Sequence, residues 1–256
     1  MVQRHRRPAR YPRLRLALLA MALLVPSAVV AASAPLSESA PRATRASAPS
    51  SPAATARLAE HAVGALFTAD GARGCTASVV HSPARNLVLT AAHCVNDQDV
   101  FFVPAYHDGQ RPEGTWKVVD QVLDERWDDG DDPDFDLAFL VVRDTDGDRQ
   151  VEDVAGALEL GTGGPYEQPV RMTAYPADLD HPISCDGRSE RWSATQLTIT
   201  CPGFTEGTSG GPWVTAAGTV VGLIGGYERG GYSDDVSYSP YLGPDVAALY
   251  QRATTR

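Results

Sequence analysis

From Val63 onward the chain is a succession of short apolar runs cut by turn formers. They include "CTASVVHS", "NLVLTAAHC", "DVFFVPAY", "TWKVVDQVL", "FDLAFLVV", "QPVRMTAYP", "RWSATQLTITC", "GTVVGLIGGY" and "DVSYSPYLG". Val, Ile, Thr, Tyr and Phe suit a pleated, half-buried surface, and the intervening Gly, Pro, Asp and Asn end each run early. Many short strands at roughly regular spacing predict antiparallel barrels or a sandwich. The last piece, "GPDVAALYQRA", has a different period. Asp245 can cap, and Val246, Leu249 and Tyr250 share one helical face, so a short terminal helix is expected.

The amino terminus lies outside this pattern. "MVQRHRRPARYPRLRLALLAMALLVPSAVVAASA" has a basic region, an apolar run from Leu16 to Val25 and a small-residue end, the layout of a secretory signal. A membrane span needs about 20 apolar residues, so residues 1–34 are read as a cleaved signal, with no stable membrane anchor afterwards. Six arginines and no acidic residue leave with it, which takes the net charge from −10 to −16. So acidic a product repels phosphate backbones, and nucleic acid is not an expected partner. Residues 35–58 are mostly Ala, Ser, Pro, Thr and Arg and are read as a disordered leader. The folded part then has two halves, 59–155 and 156–256. Four cysteines remain, Cys75, Cys94, Cys185 and Cys201. Export makes disulfides the expectation, with three pairings open. Neither CxxC nor HExxH spacing occurs, so no metal or cofactor is expected.

The stretch "GFTEGTSGGPWV" gathers Gly203, Gly207, Gly210 and Gly211 around Ser209. Glycines allow a tight loop with close backbone approach. A serine hydroxyl is a poor nucleophile unless a base lies within hydrogen-bond reach. An imidazole, ordinarily titrating at about pH 6.5, can take and return its proton. His93 ends the apolar run "NLVLTAAHCV" beside a cysteine, a rigid seat for a base; His61, His81, His107 and His181 sit in polar or terminal contexts. The base needs a carboxylate to fix its tautomer. Asp136 opens "DLAFLVV", whereas Asp134 lies nearer the open acidic segment "DERWDDGDDPD".

"TAAHC", "DLAFL" and "GTSGGP" occur in that order along an exported, β-rich chain. The set resembles the chymotrypsin-like (trypsin-like) serine peptidases, in their secreted bacterial, actinobacterial branch, over about Ala62 to Ala253. The resemblance implies an all-β fold of two packed six-stranded antiparallel barrels with a short carboxy-terminal helix. It implies His93, Asp136 and Ser209 as catalytic residues. The amides of Gly207 and Ser209 become the oxyanion donors, each worth about 3 kcal/mol. Gly203, Gly225, Gly226, Tyr227 and Val236 fall at substrate-binding positions. Cys75 pairs with Cys94 and Cys185 with Cys201. The substrate is a peptide or protein, cleaved outside the cell by a monomer through an acyl-enzyme. The rival function is a peptide-binding module on the same fold with weak or lost activity; its usual sign, a substituted triad member, is missing.

Three departures qualify the resemblance. Thr208 stands where animal members carry the aspartate that pairs with a newly freed amino terminus. Gly225 stands where a serine usually supports the catalytic aspartate, so one hydrogen bond to Asp136 is expected to be lost. Gly203 puts no charge on the pocket floor, and Ile224 replaces the histidine of glutamate-specific relatives, which favours a neutral P1 side chain. Asp234 and Asp235 are the residues that would instead favour a basic one. The alternating acids of "DTDGDRQVED" depart from calcium-loop spacing and are read as a solvated turn, as is the acidic stretch from Asp124 to Asp134.

Overall fold

A computed structural model describes residues 57–58, 60–95 and 99–256. The signal, and the leader as far as residue 56, lie outside these residues. Residues 57, 58 and 60–62 are helical, and Leu58 packs against the first core, so the folded part begins inside the stretch assigned to the leader.

The first half is a closed barrel. Its strands are β1 (Val63–Thr68), β2 (Arg73–Val80), β3 (Leu87–Thr90), β4 (Val100–Pro104), β5 (Trp116–Val122) and β6 (Ala138–Asp144), hydrogen-bonded in the order β1-β2-β3-β6-β5-β4. β1 pairs antiparallel with β4, which closes the cylinder and leaves no edge strand. Leu87, Leu89, Phe102, Trp116, Phe139 and Leu140 are fully buried and belong to one core, which takes side chains from both faces of the barrel wall.

The second half arranges its strands in two sheets. One runs β7 (Glu159–Leu160), β13 (Thr219–Leu223), β12 (Pro212–Val214), β8 (Pro169–Ala174), β9 (Ile183–Arg188). The other runs β10 (Glu190–Arg191), β11 (Gln196–Thr200), β14 (Val236–Pro240). Met172, Leu197, Ile199, Trp213 and Ile224, drawn from both sheets, form one core. The amide of Gly225 donates to the Tyr238 carbonyl at 3.0 Å and ties the sheets together. The disulfides are Cys75–Cys94 and Cys185–Cys201.

The terminal helix spans Pro244–Ala253 and buries Val246, Leu249 and Ala253. This face joins the first core, where each large apolar side chain contributes about 1.5–3 kcal/mol. The cap differs from expectation. Gly243 is the N-cap and Pro244 opens the helix, so Asp245 falls in the first turn. There its carboxylate accepts from Arg126 Nη1 at 3.2 Å. Among the described residues no helix is long and apolar enough to cross a membrane.

The acidic segments are structural. Asp124 caps the short helix Glu125–Asp128 through the Arg126 amide and binds the Arg126 guanidinium. Asp132 caps the 3₁₀ turn Pro133–Phe135. Asp144, buried at the end of β6, accepts from Arg149 Nε at 2.6 Å and Nη2 at 3.3 Å, and this hydrogen bonding holds its carboxyl below the usual carboxylate range. A depressed carboxylate stabilises the fold above its unfolded value of about 3.9 and loses that contribution as pH falls through the lower folded value. Arg149→Gln should therefore lower Tm at pH 6, with the difference from wild type shrinking towards pH 2. A difference independent of pH in thermal melts would refute this account.

Candidate active site

Three separate turns deliver the three side chains expected to act together. β3 runs into the 3₁₀ turn Ala92–Cys94, with Ala91 and Ala92 fully buried, and this turn carries His93. The adjoining Cys94 is bonded to Cys75 on β2, so the histidine turn is stapled to the neighbouring strand. A His93 ring nitrogen lies within 4.8 Å of both sulfurs, but these are committed to the S–S bond and leave no thiolate for a metal.

The turn Pro133–Phe135 delivers Asp136, which is completely buried. A carboxylate out of water is costly unless paired and hydrogen-bonded. Asp136 meets this condition through three donors. Its Oδ1 accepts from the His93 amide at 3.0 Å. Its Oδ2 lies 2.8 Å from His93 Nδ1 and accepts from the Gly226 amide at 2.8 Å. The bond expected to be missing because Gly225 replaces a serine is thus supplied by the next residue's backbone. Gly225 leaves no room for a side chain: a Cβ there would lie 2.9 Å from the Asp136 carbonyl oxygen. Asp134 faces elsewhere and accepts from Gln196 Nε2 at 2.7 Å.

Ser209 is half-buried in the turn before β12. Its loop is fixed by its carbonyls. Glu206 O accepts from the Ala177 amide at 2.7 Å, Thr208 O from the Gly211 amide at 2.9 Å, and Ser209 O from the Thr76 amide at 2.8 Å. In a trans peptide the C=O and N–H point in opposite directions. The Gly207 and Ser209 amides therefore aim away from Ala177 and Gly211, and neither finds an acceptor among the described residues. Gly207 has φ +91°, and a Cβ there would lie 2.6 Å from Ala177 N and 2.7 Å from Tyr175 O, so only glycine fits. Thr208 is buried, its hydroxyl donating to the Thr205 carbonyl at 2.6 Å.

The remaining predicted positions are less uniform. Gly203 sits in an exposed turn. Val236 pairs with Thr200 across β14 and β11, and Asp234 and Asp235 are exposed. Ile224 is buried in the second core. Gly225 and Gly226 are buried beside Asp136, but Tyr227 opens a 3₁₀ turn, Tyr227–Gly230. All three amides are already engaged, with Tyr238 O, Asp136 Oδ2 and Gln196 Oε1 respectively. Here Trp192, Tyr227, Tyr232 and Tyr238 cluster, three ring pairs edge to face and Trp192–Tyr227 tilted at 39°, with Trp192 and Tyr232 largely exposed.

Two site residues were invisible to sequence reasoning. Gln196, buried, donates to Pro133 O and Asp134 and accepts from Tyr227, bridging the Asp136 turn to the Gly225–Tyr227 segment. Thr76 touches the Ser209 loop at two points. Their one signal is a polar residue at the head of, or within, a strand-like run, in "QLTIT" and "CTASVV".

Residues 75–223 match the trypsin-like peptidase domain. No curated protein sequence matches the chain. Among solved structures, the protease Anisep from Arthrobacter nicotinovorans is 25% identical, with a TM-score of 0.68 over 77% of this chain and 96% of that one. The thermostable serine protease AL20, from an extremophilic microorganism, is 27% identical, with a TM-score of 0.67 over 77% of this chain and 99% of that one. A Glu endopeptidase shares the fold at 14% identity and a TM-score of 0.65, over 77% of this chain and 92% of that one.

Proposed function

The chain belongs to the trypsin-like peptidase family of serine endopeptidases, and we propose that it is exported and cleaves peptide bonds with Ser209, His93 and Asp136. Ser209 Oγ attacks the scissile carbonyl while His93 Nε2 removes its proton. The negative charge that forms on the carbonyl oxygen lies against the Gly207 and Ser209 amides. His93 returns the proton to the leaving amine, and the C–N bond breaks to give an acyl-Ser209. A water molecule, deprotonated by His93, then hydrolyses the ester. Asp136 stays ionised throughout and stabilises the imidazolium. The observation that carries this reading is the fully buried Asp136 carboxylate, with His93 Nδ1 at 2.8 Å and two backbone amides on the same group. Such an arrangement fixes one face of an imidazole and turns its other nitrogen outward.

Export is supported by the basic-apolar amino terminus and by two disulfides. The substrate is a peptide or protein segment with a neutral P1 side chain. Gly203 brings no charge, and the exposed aromatic rings beside Gly226 favour apolar side chains. The Gly225 carbonyl, which receives no hydrogen bond among the described residues, is the group offered to the P1 amide.

The test is chemical labelling combined with cleavage mapping. The chain expressed from residue 35 is incubated with a diverse peptide pool and, separately, with a fluorophosphonate. The expected results are one label per chain, on the tryptic peptide containing Ser209, and cleavage after neutral residues. A label on another residue, or none, overturns the nucleophile assignment. Cleavage after Lys or Arg overturns the specificity.

A further inference from the structure

We propose that Thr76 is a positioning residue for the oxyanion site, holding the peptide that joins its two donors; this rests on the active-site reading above. The candidate donors are the amides of residues 207 and 209. Between them lies the Gly207–Thr208 peptide, and the backbone angles at its two ends set how the flanking peptides that carry the donors are oriented. Two bonds hold it. The Thr208 amide donates to the Thr205 carbonyl at 3.2 Å, a bond inside the loop itself. The Gly207 carbonyl accepts from Thr76 Oγ1 at 3.0 Å, a bond from the other half of the molecule.

Thr76 is fully buried on β2, immediately after Cys75, and every polar group it has is engaged. Its hydroxyl donates to Gly207 O and accepts from the Tyr175 amide at 2.9 Å. Its amide donates to Ser209 O at 2.8 Å. Its carbonyl accepts from the Thr90 hydroxyl at 2.8 Å. One residue thus fixes the carbonyls on both sides of Thr208 and also the segment whose Ala177 amide orients the Glu206–Gly207 peptide. β2 is anchored at the adjacent cysteine to the histidine turn, so the nucleophile loop and the base share one support. Thr208 is satisfied within its own loop, and the Thr76 hydroxyl supplies a constraint from outside that loop.

The test compares Thr76→Val, Thr76→Ser and Thr76→Ala in the chain from residue 35. Valine keeps the shape and removes the hydroxyl; serine keeps the hydroxyl. Losing the alignment of an oxyanion donor costs about 10²–10³-fold when the donor is removed outright, so a loosened peptide should lower kcat by about 10- to 100-fold in Thr76→Val. KM should stay within about threefold. Affinity for a peptidyl boronate, whose tetrahedral adduct needs the donors, should fall with kcat, while the product peptide binds as before. Thr76→Ser should keep kcat within about threefold of wild type. If the valine variant does not fold, the serine and alanine pair carries the comparison. Equal kcat with and without the hydroxyl overturns the proposal, as do equal losses in the serine and hydroxyl-free variants, or a KM that rises in step. A wild-type chain that neither cleaves peptides nor takes the Ser209 label overturns the active-site reading first, and this proposal with it.

Discussion

Ser209→Ala should abolish peptide cleavage, lowering kcat by about 10⁶-fold, the scale of losing the nucleophile in a Ser-His-Asp peptidase. The substitution is a clean one here. The Ser209 backbone keeps its bond to Thr76, and the side chain is half-buried and leaves no large cavity. Stability should therefore stay within about 0.5 kcal/mol of wild type. Gly207, the Ser209 amide and the Gly225 carbonyl remain, so product peptides should bind as they do to wild type. What disappears is the covalent step. The measurement is the initial rate on the best peptide from the cleavage map, with fluorophosphonate labelling beside it. A variant retaining more than about a thousandth of wild-type activity would defeat the assignment, because water attacking within an intact oxyanion site cannot sustain that rate.

How much of this was legible beforehand depended on the kind of signal. "TAAHC" and "DLAFL" are apolar runs ending or beginning in one polar residue, and both polar residues arrive at one point, 2.8 Å apart. The same logic located most strands. It missed β9, "ISCDGR", whose exposure alternates along its length with hardly an apolar side chain to mark it. Pairing with β8 along six residues and the Cys185–Cys201 bond hold it. β1, "VGALFT", begins at Val63, where the apolar runs begin, although Gly64 and Ala65 lower its strand signal. Gly64 is there because β4 comes too close for a side chain: a Cβ would lie 2.6 Å from the Pro104 Cα. The acidic segments read as solvated turns because capping is a property of geometry; nothing in "DERWDDGDDPD" says that Asp124 and Asp132 will each accept a backbone amide two residues on. Thr76 and Gln196 were silent for a related reason. Each acts through partners at least thirty residues away, and a threonine in a strand is ordinary in itself.

The missing serine beside Asp136 shows why the backbone matters as much as the side chains, and it sharpens the second large expectation. Asp136→Asn should lower kcat by about 10⁴-fold, the order found when the buried carboxylate of such a triad becomes an amide. Asp136 accepts three hydrogen bonds: one from the His93 amide on Oδ1, and those from His93 Nδ1 and the Gly226 amide on Oδ2. Asparagine has one acceptor oxygen and one NH₂ group. With its oxygen in the Oδ2 place, its NH₂ group confronts the His93 amide, donor against donor. With its oxygen in the Oδ1 place, the NH₂ group confronts the Gly226 amide and can bond His93 Nδ1 only if that nitrogen gives up its hydrogen. The proton then resides on Nε2, where the proton of Ser209 has to go. One orientation breaks the seat of the histidine and the other fixes the wrong tautomer, so no rotamer rescues the variant. A serine hydroxyl in place of the Gly226 amide could turn to accept from the new NH₂ group; a backbone amide cannot. The loss should appear in kcat with KM little changed, and fluorophosphonate labelling of Ser209 should slow in parallel. A variant within tenfold of wild type would show that Asp136 does not set the His93 tautomer.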